Sequence, residues 1–308
     1  MTPLREALDG YLTVRRQLGF KLEGDGRLLA QFVAFVEQSG RSSITTPLAV
    51  AWARQPEGVK PHRWRQRLGM VRRFAFHLAT VMSETEIPST DLLPGRQQRT
   101  TPYIYSAGEI EALMSAASKL SPPVRAATVR TVIGLLAVTG MRIGEVLALD
   151  DGTADLDAGV ITATGKWGKQ REVPLHPTTV TALRDYQQAR DRLRPIRPTD
   201  ALFITRHGQR LTQAAFHKAF RGLLLTIGLE GAGERDRPRP HDLRHAFAVR
   251  TLINWQHAGA DVRRELPRLS TYLGHVHPSD TYWYLQAVPE VLELAVRDLD
   301  HLLGGDRP

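Results

Sequence analysis

The chain contains no cysteine, which excludes a disulfide framework and cysteine-ligated zinc and leaves an intracellular life unhindered. It has no run approaching the roughly 18 apolar residues of a membrane span. The opening MTPLREALDGYLTVRRQLGF lacks the unbroken apolar core of a signal peptide. A cytoplasmic, nucleoid-associated protein without a membrane partner is therefore expected. No G-x-x-x-x-G-K-[ST] loop is present, and no dense carboxylate cluster of the two-metal type, which is consistent with chemistry that needs no cofactor. Acidic residues are also in short supply. Against 41 Lys and Arg stand 32 Asp and Glu, a formal net charge of +9, which draws polyanions, nucleic acid first and anionic membrane second.

At 308 residues the chain is long enough for two domains, each with its own core. Apolar residues recur at helical spacing in Leu4, Leu8, Tyr11, Leu12 and Leu18, and again in Leu28, Leu29, Phe32, Phe35 and Val36. Thr46-Pro47 reads as an N-cap with proline at the first helical position, opening a short helix through Trp52. A longer helix is predicted from Pro61 to Val81. Around its Trp64, Leu68, Val71, Phe74 and Phe76 crowd Lys60, Arg63, Arg65, Arg67, Arg72 and Arg73, with no acidic residue among them. Such a run is commonly a solvated face over a core stripe. In a chain this basic it points instead to the phosphate backbone of nucleic acid, where contacts position a protein without reading sequence.

Residues 87–103, IPSTDLLPGRQQRTTPY, hold three prolines and a glycine among polar and basic residues, the composition of a linker. The expected division is a helical, DNA-binding domain over 1–92, a linker over 93–103 and a second domain over 104–308. Ser106-Ala107-Gly108-Glu109 forms an S-x-x-E capping box ahead of Ile110, Leu113 and Met114. A second helix, VRAATVRTVIGLLAVTG, ends at a glycine, and Arg142 follows near the first turn of the next helix, where free backbone N–H groups favour an anion. Val160–Thr164 and 171–175 have strand composition and flank the glycine-rich turn Gly165-Lys166-Trp167-Gly168-Lys169-Gln170; Ala201–Ile204 reads as a third strand. Helices resume over 177–193 and 212–224. The predicted class is mainly α with a small antiparallel β-sheet.

Three pieces of the last third stand apart: His241-Asp242-Leu243-Arg244, then Leu273-Gly274-His275, then Tyr284. A His three residues before an Arg shares its helical face, so both side chains can converge on an anion. The second His offers an acid or base, and the tyrosine offers a nucleophile.

With TGMRIGEVLAL, GKWGKQREVPL, PHDLRHAFA, YLGHVH and Tyr284 in this order, the chain resembles the tyrosine recombinase (phage integrase) family over residues 101–290, and looks most like transposon-borne integrases, including those encoded in trios. The resemblance implies two domains forming a C-shaped clamp around DNA. It implies that Arg142 and Arg244 clamp the scissile phosphate and that Lys166 protonates the leaving 5′ oxygen. His241 would assist proton transfer, His275 would hydrogen-bond the phosphate, and Tyr284 would attack phosphorus to give a 3′-phosphotyrosyl link. It further implies a tetramer on synapsed, specific DNA sites, with sister recombinases as further candidate partners. Physically, a tyrosine with a pKa of about 10 needs a base or cationic surroundings to act as nucleophile. Two permanently charged, forked arginines suit a phosphoryl group in a transition state.

Two features depart from or compete with that pattern. Trp167 stands where the family often has glycine, and Lys169 is a second lysine in the same turn. Tyr282 competes with Tyr284, although the spacing from His275 matches the family at Tyr284; Tyr282 and Trp283 then pack or frame the site. The apolar residues from Val288 to Leu303 make an amphipathic terminal helix, docking on its own domain or, as the resemblance implies, in trans on a neighbouring protomer. One alternative is a zinc hydrolase built on His241 and His245 of H-D-x-x-H, with His275 or His277 as third ligand. It requires the short Asp242 as base and leaves Arg142, Lys166 and Tyr284 unexplained. The other alternative is a non-catalytic DNA-binding protein on a recombinase scaffold, which leaves six positions filled by competent residue types without a task.

Overall fold

The computed structural model describes residues 2–95, 102–165, 168–229, 238–274 and 281, and the chain divides into two compact units, Met1–Arg99 and Thr100–Pro308. Among the described residues the first unit holds α1 (Pro3–Gln17), α2 (Glu23–Gln38), α3 (Thr46–Arg54) and α4 (Pro61–Leu78). Each buries the stripe its spacing dictates: Leu4, Leu8, Tyr11 and Leu12 from α1; Leu29, Phe32, Val33 and Val36 from α2; Leu68, Val71, Phe74 and Leu78 from α4. Phe32 meets Trp52 of α3 edge to face, with ring centroids 5.2 Å apart.

Several details differ from the sequence reading. The cap of α3 is Thr45, and no side chain of its own closes the turn; the Thr46 amide instead donates to Glu86 Oε2 at 2.7 Å. Helix α4 stops at Leu78, leaving Val81 exposed, and Phe76 is exposed, as is Leu18 just past the end of α1. Leu93, placed by composition at the start of a linker, is buried in this first core. Its apolar side chain outweighs the prolines around it.

The second unit contains α5 (Ala107–Ser118), α6 (Pro123–Thr139), α7 (Ile143–Leu147), β1 (Ala154–Asp155), β2 (Val160–Thr164), β3 (Gln170–Pro174), α8 (Pro177–Leu193), α9 (Gln213–Thr226), α10 (Pro240–His257) and α11 (Val262–Leu273). Together the units make a mainly helical protein with one small antiparallel sheet. The Ser106–Glu109 capping box forms as predicted, both halves present. Helix α6 is buried along most of its length and packs against α5, α8 and α10, which is why its sequence is apolar nearly all round.

The sheet has the order β1-β2-β3. Its third strand is Ala154–Asp155, paired with Val160 and Ile161. The predicted strand Ala201–Ile204 is fully buried but makes only the isolated bridges Asp150↔Ala201 and Ile204↔Arg210; burial on all sides gives it strand-like composition without a ladder. In the β2–β3 hairpin Ile161 faces Val173 and Ala163 faces Arg171. Period-2 alternation therefore sets Arg171 on the same, inward face as buried Val173. Pro174 sits at the end of an edge strand, where its missing N–H costs no ladder bond.

Candidate active site

Three turns bring the site together. Gly140 ends α6 in the left-handed conformation, with φ +60°, and Arg142 is the N-cap of α7. Pro240 opens α10 at the first helical position, the place where a proline's missing N–H is harmless. The Arg239 amide before it donates to Asp242 Oδ2 at 2.7 Å. His241 and Arg244 then share one face of α10. Gly274 closes α11, again left-handed at φ +69°.

The C-terminus of α11 is the hub. Its last carbonyls take guanidinium donors from three different elements: Arg171 Nε to Tyr272 O at 2.9 Å, Arg244 Nη2 to Leu273 O at 2.7 Å and Arg142 Nη2 to Gly274 O at 2.8 Å. A helix C-terminus carries partial negative charge and unsatisfied carbonyls, so cations are favoured there. Arg244, 2% exposed, also donates from Nη1 to Gly140 O at 2.7 Å, which binds α10 to the turn carrying Arg142.

Between Arg142 and Arg171 lies Glu145, almost wholly buried. Arg171 grips it in a fork, Nη1 to Oε1 at 3.0 Å and Nη2 to Oε2 at 2.7 Å. Arg142 Nη1 reaches Oε1 at 2.9 Å, and the Arg142 amide donates to Oε2 at 3.0 Å. Burial by itself pushes a carboxyl up, but here the Arg171 hydrogen bonds, the Arg142 amide and the Arg171 charge outweigh it and lower Glu145 to about 2. One carboxylate cannot neutralise three guanidiniums, so the cluster stays cationic. Arg142 is the member with the most access to solvent, its side chain 32% exposed.

His241 keeps solvent on part of its ring. Desolvation of the rest, then the charges of Arg244, Arg142 and Arg239, lower it to about 4. The imidazole is therefore neutral at physiological pH and able to accept a proton. Asp242 behaves in the opposite sense: burial raises it to about 6. The His241 and His245 rings meet edge to face at 4.8 Å. Among the described residues no three His, Asp or Glu side chains gather as a metal site would require.

The structure thus brings together Arg142, His241 and Arg244. Lys166, His275, His277, Tyr282, Trp283, Tyr284 and the tail from Val288 to Leu303 lie outside the described residues. Lys169 is exposed, its carbonyl accepting from the Gly165 amide at 2.8 Å across the hairpin turn. Glu145 and Arg171 were not singled out from the sequence. Their signals are present in it: a carboxylate inside the apolar turn IGEVL, and an arginine on the apolar face of a strand.

The basic run on α4 divides in two. Lys60, Arg63, Arg65 and Arg73 are exposed, Arg73 in a loose 3.5 Å ion pair with Asp25. Arg67 instead lies over the Trp52 ring, 3.6 Å from its centroid, and donates to Trp52 O at 3.0 Å. Arg72 is half-buried and donates to Pro88 O. These last two brace the fold through those contacts.

No helix among the described residues is long and apolar enough to cross a membrane. Residues 105–290 match the model of the phage integrase family. The chain is 43% identical to the putative integrase/recombinase y4rB of Sinorhizobium fredii, over 97% of this chain and 98% of the relative. It is 30% identical to the tyrosine recombinase XerD of Listeria monocytogenes, over 97% of each. Among solved structures, the Tn1549 transposon integrase in complex with transposon right end DNA superposes with a TM-score of 0.66 at 16% identity, covering 98% of this chain and 100% of that one. The XerH site-specific recombinase bound to difH substrate, at 22% identity, covers 87% of this chain and 77% of its own with a TM-score of 0.65; both likenesses concern the fold. With a family match over most of the chain and close relatives along its whole length, the protein belongs to the phage integrase family of tyrosine recombinases and is a site-specific DNA recombinase.

Proposed function

We propose that the protein cuts and rejoins DNA strands through a covalent 3′-phosphotyrosyl intermediate on Tyr284, in the integration or excision of a mobile element. The observation that carries this reading is the cationic cluster at the end of α11, with Arg142 solvent-accessible and a neutral His241 beside it. Guanidiniums held rigidly by backbone carbonyls are preorganised for the charge of a five-coordinate phosphoryl transition state. Arg142 and Arg244 bind the non-bridging oxygens. Tyr284 Oη attacks phosphorus while its proton passes to His241. His275 hydrogen-bonds the phosphate, and Lys166 gives a proton to the departing 5′ oxygen. The 5′-hydroxyl of another strand then attacks the phosphotyrosyl ester and returns Tyr284 to its free form. One ester replaces another at each step, so bond energy is conserved and neither ATP nor a metal enters the balance.

The wider reading follows from the same chemistry. Residues 1–92 form the DNA-binding unit, with Lys60, Arg63, Arg65 and Arg73 on phosphates, and residues 104–308 form the catalytic unit. The protein acts as a tetramer on synapsed sites in the nucleoid, with its terminal helix on a neighbouring protomer and with sister recombinases as further partners. The integrase/recombinase name of its 43% identical relative supports the mobile-element setting.

A duplex bearing the recombination site, nicked next to the scissile phosphate, tests this reading. The short 5′-hydroxyl product diffuses away, and a protease-sensitive protein–DNA adduct accumulates. Tyr284→Phe abolishes the adduct and preserves duplex binding. An adduct that survives Tyr284→Phe but vanishes in Tyr282→Phe reassigns the nucleophile.

A further inference from the structure

The contacts of Arg171 reach beyond what a strand residue needs for folding. Its three nitrogens are all engaged, Nε on the Tyr272 carbonyl and the two Nη atoms on the two oxygens of Glu145. Through that carboxylate it meets Arg142, which shares Glu145 Oε1 and reaches the Gly274 carbonyl, two residues beyond the one Arg171 holds. Gly274 is shaped to this arrangement as well, since a Cβ there would approach Arg171 Nη1 to 3.1 Å at a backbone φ of +69°. The Glu145 carboxylate and the Gly274 carbonyl are the partners of the Arg142 side chain among the described residues; Arg171 shares the carboxylate and holds the Tyr272 carbonyl two residues before Gly274.

We propose that Arg171 is a positioning residue for strand cleavage: by fixing Glu145 and the α11 C-terminus together, it sets the direction in which Arg142 presents its guanidinium to the scissile phosphate. The inference rests on the reading of Arg142 as a phosphate clamp. Without the fork, Glu145 keeps a single guanidinium partner and rotates toward it, drawing Arg142 into a closed ion pair and away from the phosphate. A lysine retains the charge but replaces three directed donors on a planar frame with one ammonium, which cannot span carboxylate and carbonyl together.

The test compares cleavage of two nicked duplexes that carry the mapped cleavage site, one with the natural scissile phosphate and one with a methylphosphonate there. Neutralising a non-bridging oxygen removes most of the need for an arginine clamp, so a clamp defect falls on the phosphate substrate alone. Arg142→Ala is expected to lower the phosphate rate by about 100-fold or more and to erase most of the wild-type preference for phosphate over methylphosphonate. Arg171→Gln is expected to lower the phosphate rate by up to about 100-fold and to shrink the same preference. Arg171→Lys, the variant that keeps the charge and carries the comparison if the glutamine protein does not fold, shrinks it to a smaller extent. If Arg142→Ala loses the preference while the Arg171 variants slow both substrates in the wild-type ratio, Arg171 merely supports the fold and the inference is overturned. If Arg142→Ala itself keeps the wild-type preference, the clamp reading fails and the inference goes with it.

Discussion

Arg244 donates to the Gly140 carbonyl at 2.7 Å, bridging 104 residues of sequence. It ties the buried arginine of α10 to the turn from which Arg142 emerges. That turn depends on Gly140, where a Cβ would lie 2.5 Å from Phe247 Cδ1 and 3.0 Å from Leu273 Cδ2 at a φ of +60°. Gly140→Ala combines left-handed strain of about 1–2 kcal/mol with a contact that displaces Phe247. The expected result is a loss of about 2–4 kcal/mol in denaturant unfolding, with cleavage falling further than stability explains.

On α4 the structure separates exposed basic side chains from bracing ones. Arg67→Ala removes both its stacking on Trp52 and its bond to the Trp52 carbonyl; it is expected to destabilise the first unit by about 1–2 kcal/mol. Arg65→Ala alters an exposed side chain and is expected to leave stability within about 0.5 kcal/mol. It lowers the slope of log affinity against log salt by about 1. Chemical denaturation and a salt series of duplex binding distinguish the two.

Asp242 supplies a pH signature. Its folded value, raised to about 6, lies above the ordinary aspartate value of 3.8, so the folded state resists ionisation. Stability is therefore lost as pH rises from about 3.8 to about 6 and stays level above. Asp242→Asn retains an acceptor for the Arg239 amide and removes that loss. The variant is expected to gain on the order of 1–3 kcal/mol relative to wild type at pH 7 and nothing near pH 3.5, as read from unfolding midpoints across pH.

His241 carries the complementary prediction. Lowered from 6.5 to about 4, it stays neutral where an ordinary histidine charges, and its contribution to stability is lost as pH falls from 6.5 toward 4. The ring signals of His241 in NMR spectra are expected to hold constant from pH 8 to about pH 5. A midpoint near 6.5 contradicts the electrostatic account of the site.

Much of this was legible in the sequence for physical reasons. Helical spacing exposed α1 and α2, and the Ser106–Glu109 pair announced α5, because capping and amphipathic burial are local. Arg142, His241 and Arg244 were legible as candidates through the motifs that carry the family resemblance, and the structure brings the three together. The pairing of Glu145 with Arg171 was not legible, since it joins a helix and a strand across 26 residues of sequence, and the local signal of each residue does not name its partner. The packing of Arg67 was not legible either: charge suggests solvent, whereas a long stem allows a guanidinium to lie over Trp52. Leu93 shows the same limit, a core residue inside a proline-rich stretch.

The central claim is that Tyr284 becomes covalently joined to DNA beside the arginine cluster. Trapping the adduct on a nicked duplex, digesting it with trypsin and nuclease, and locating the modified side chain by mass spectrometry tests that claim most directly. The account predicts a 3′-nucleotide phosphoester on Tyr284. A phosphoester on Tyr282, or on a side chain other than tyrosine, contradicts it.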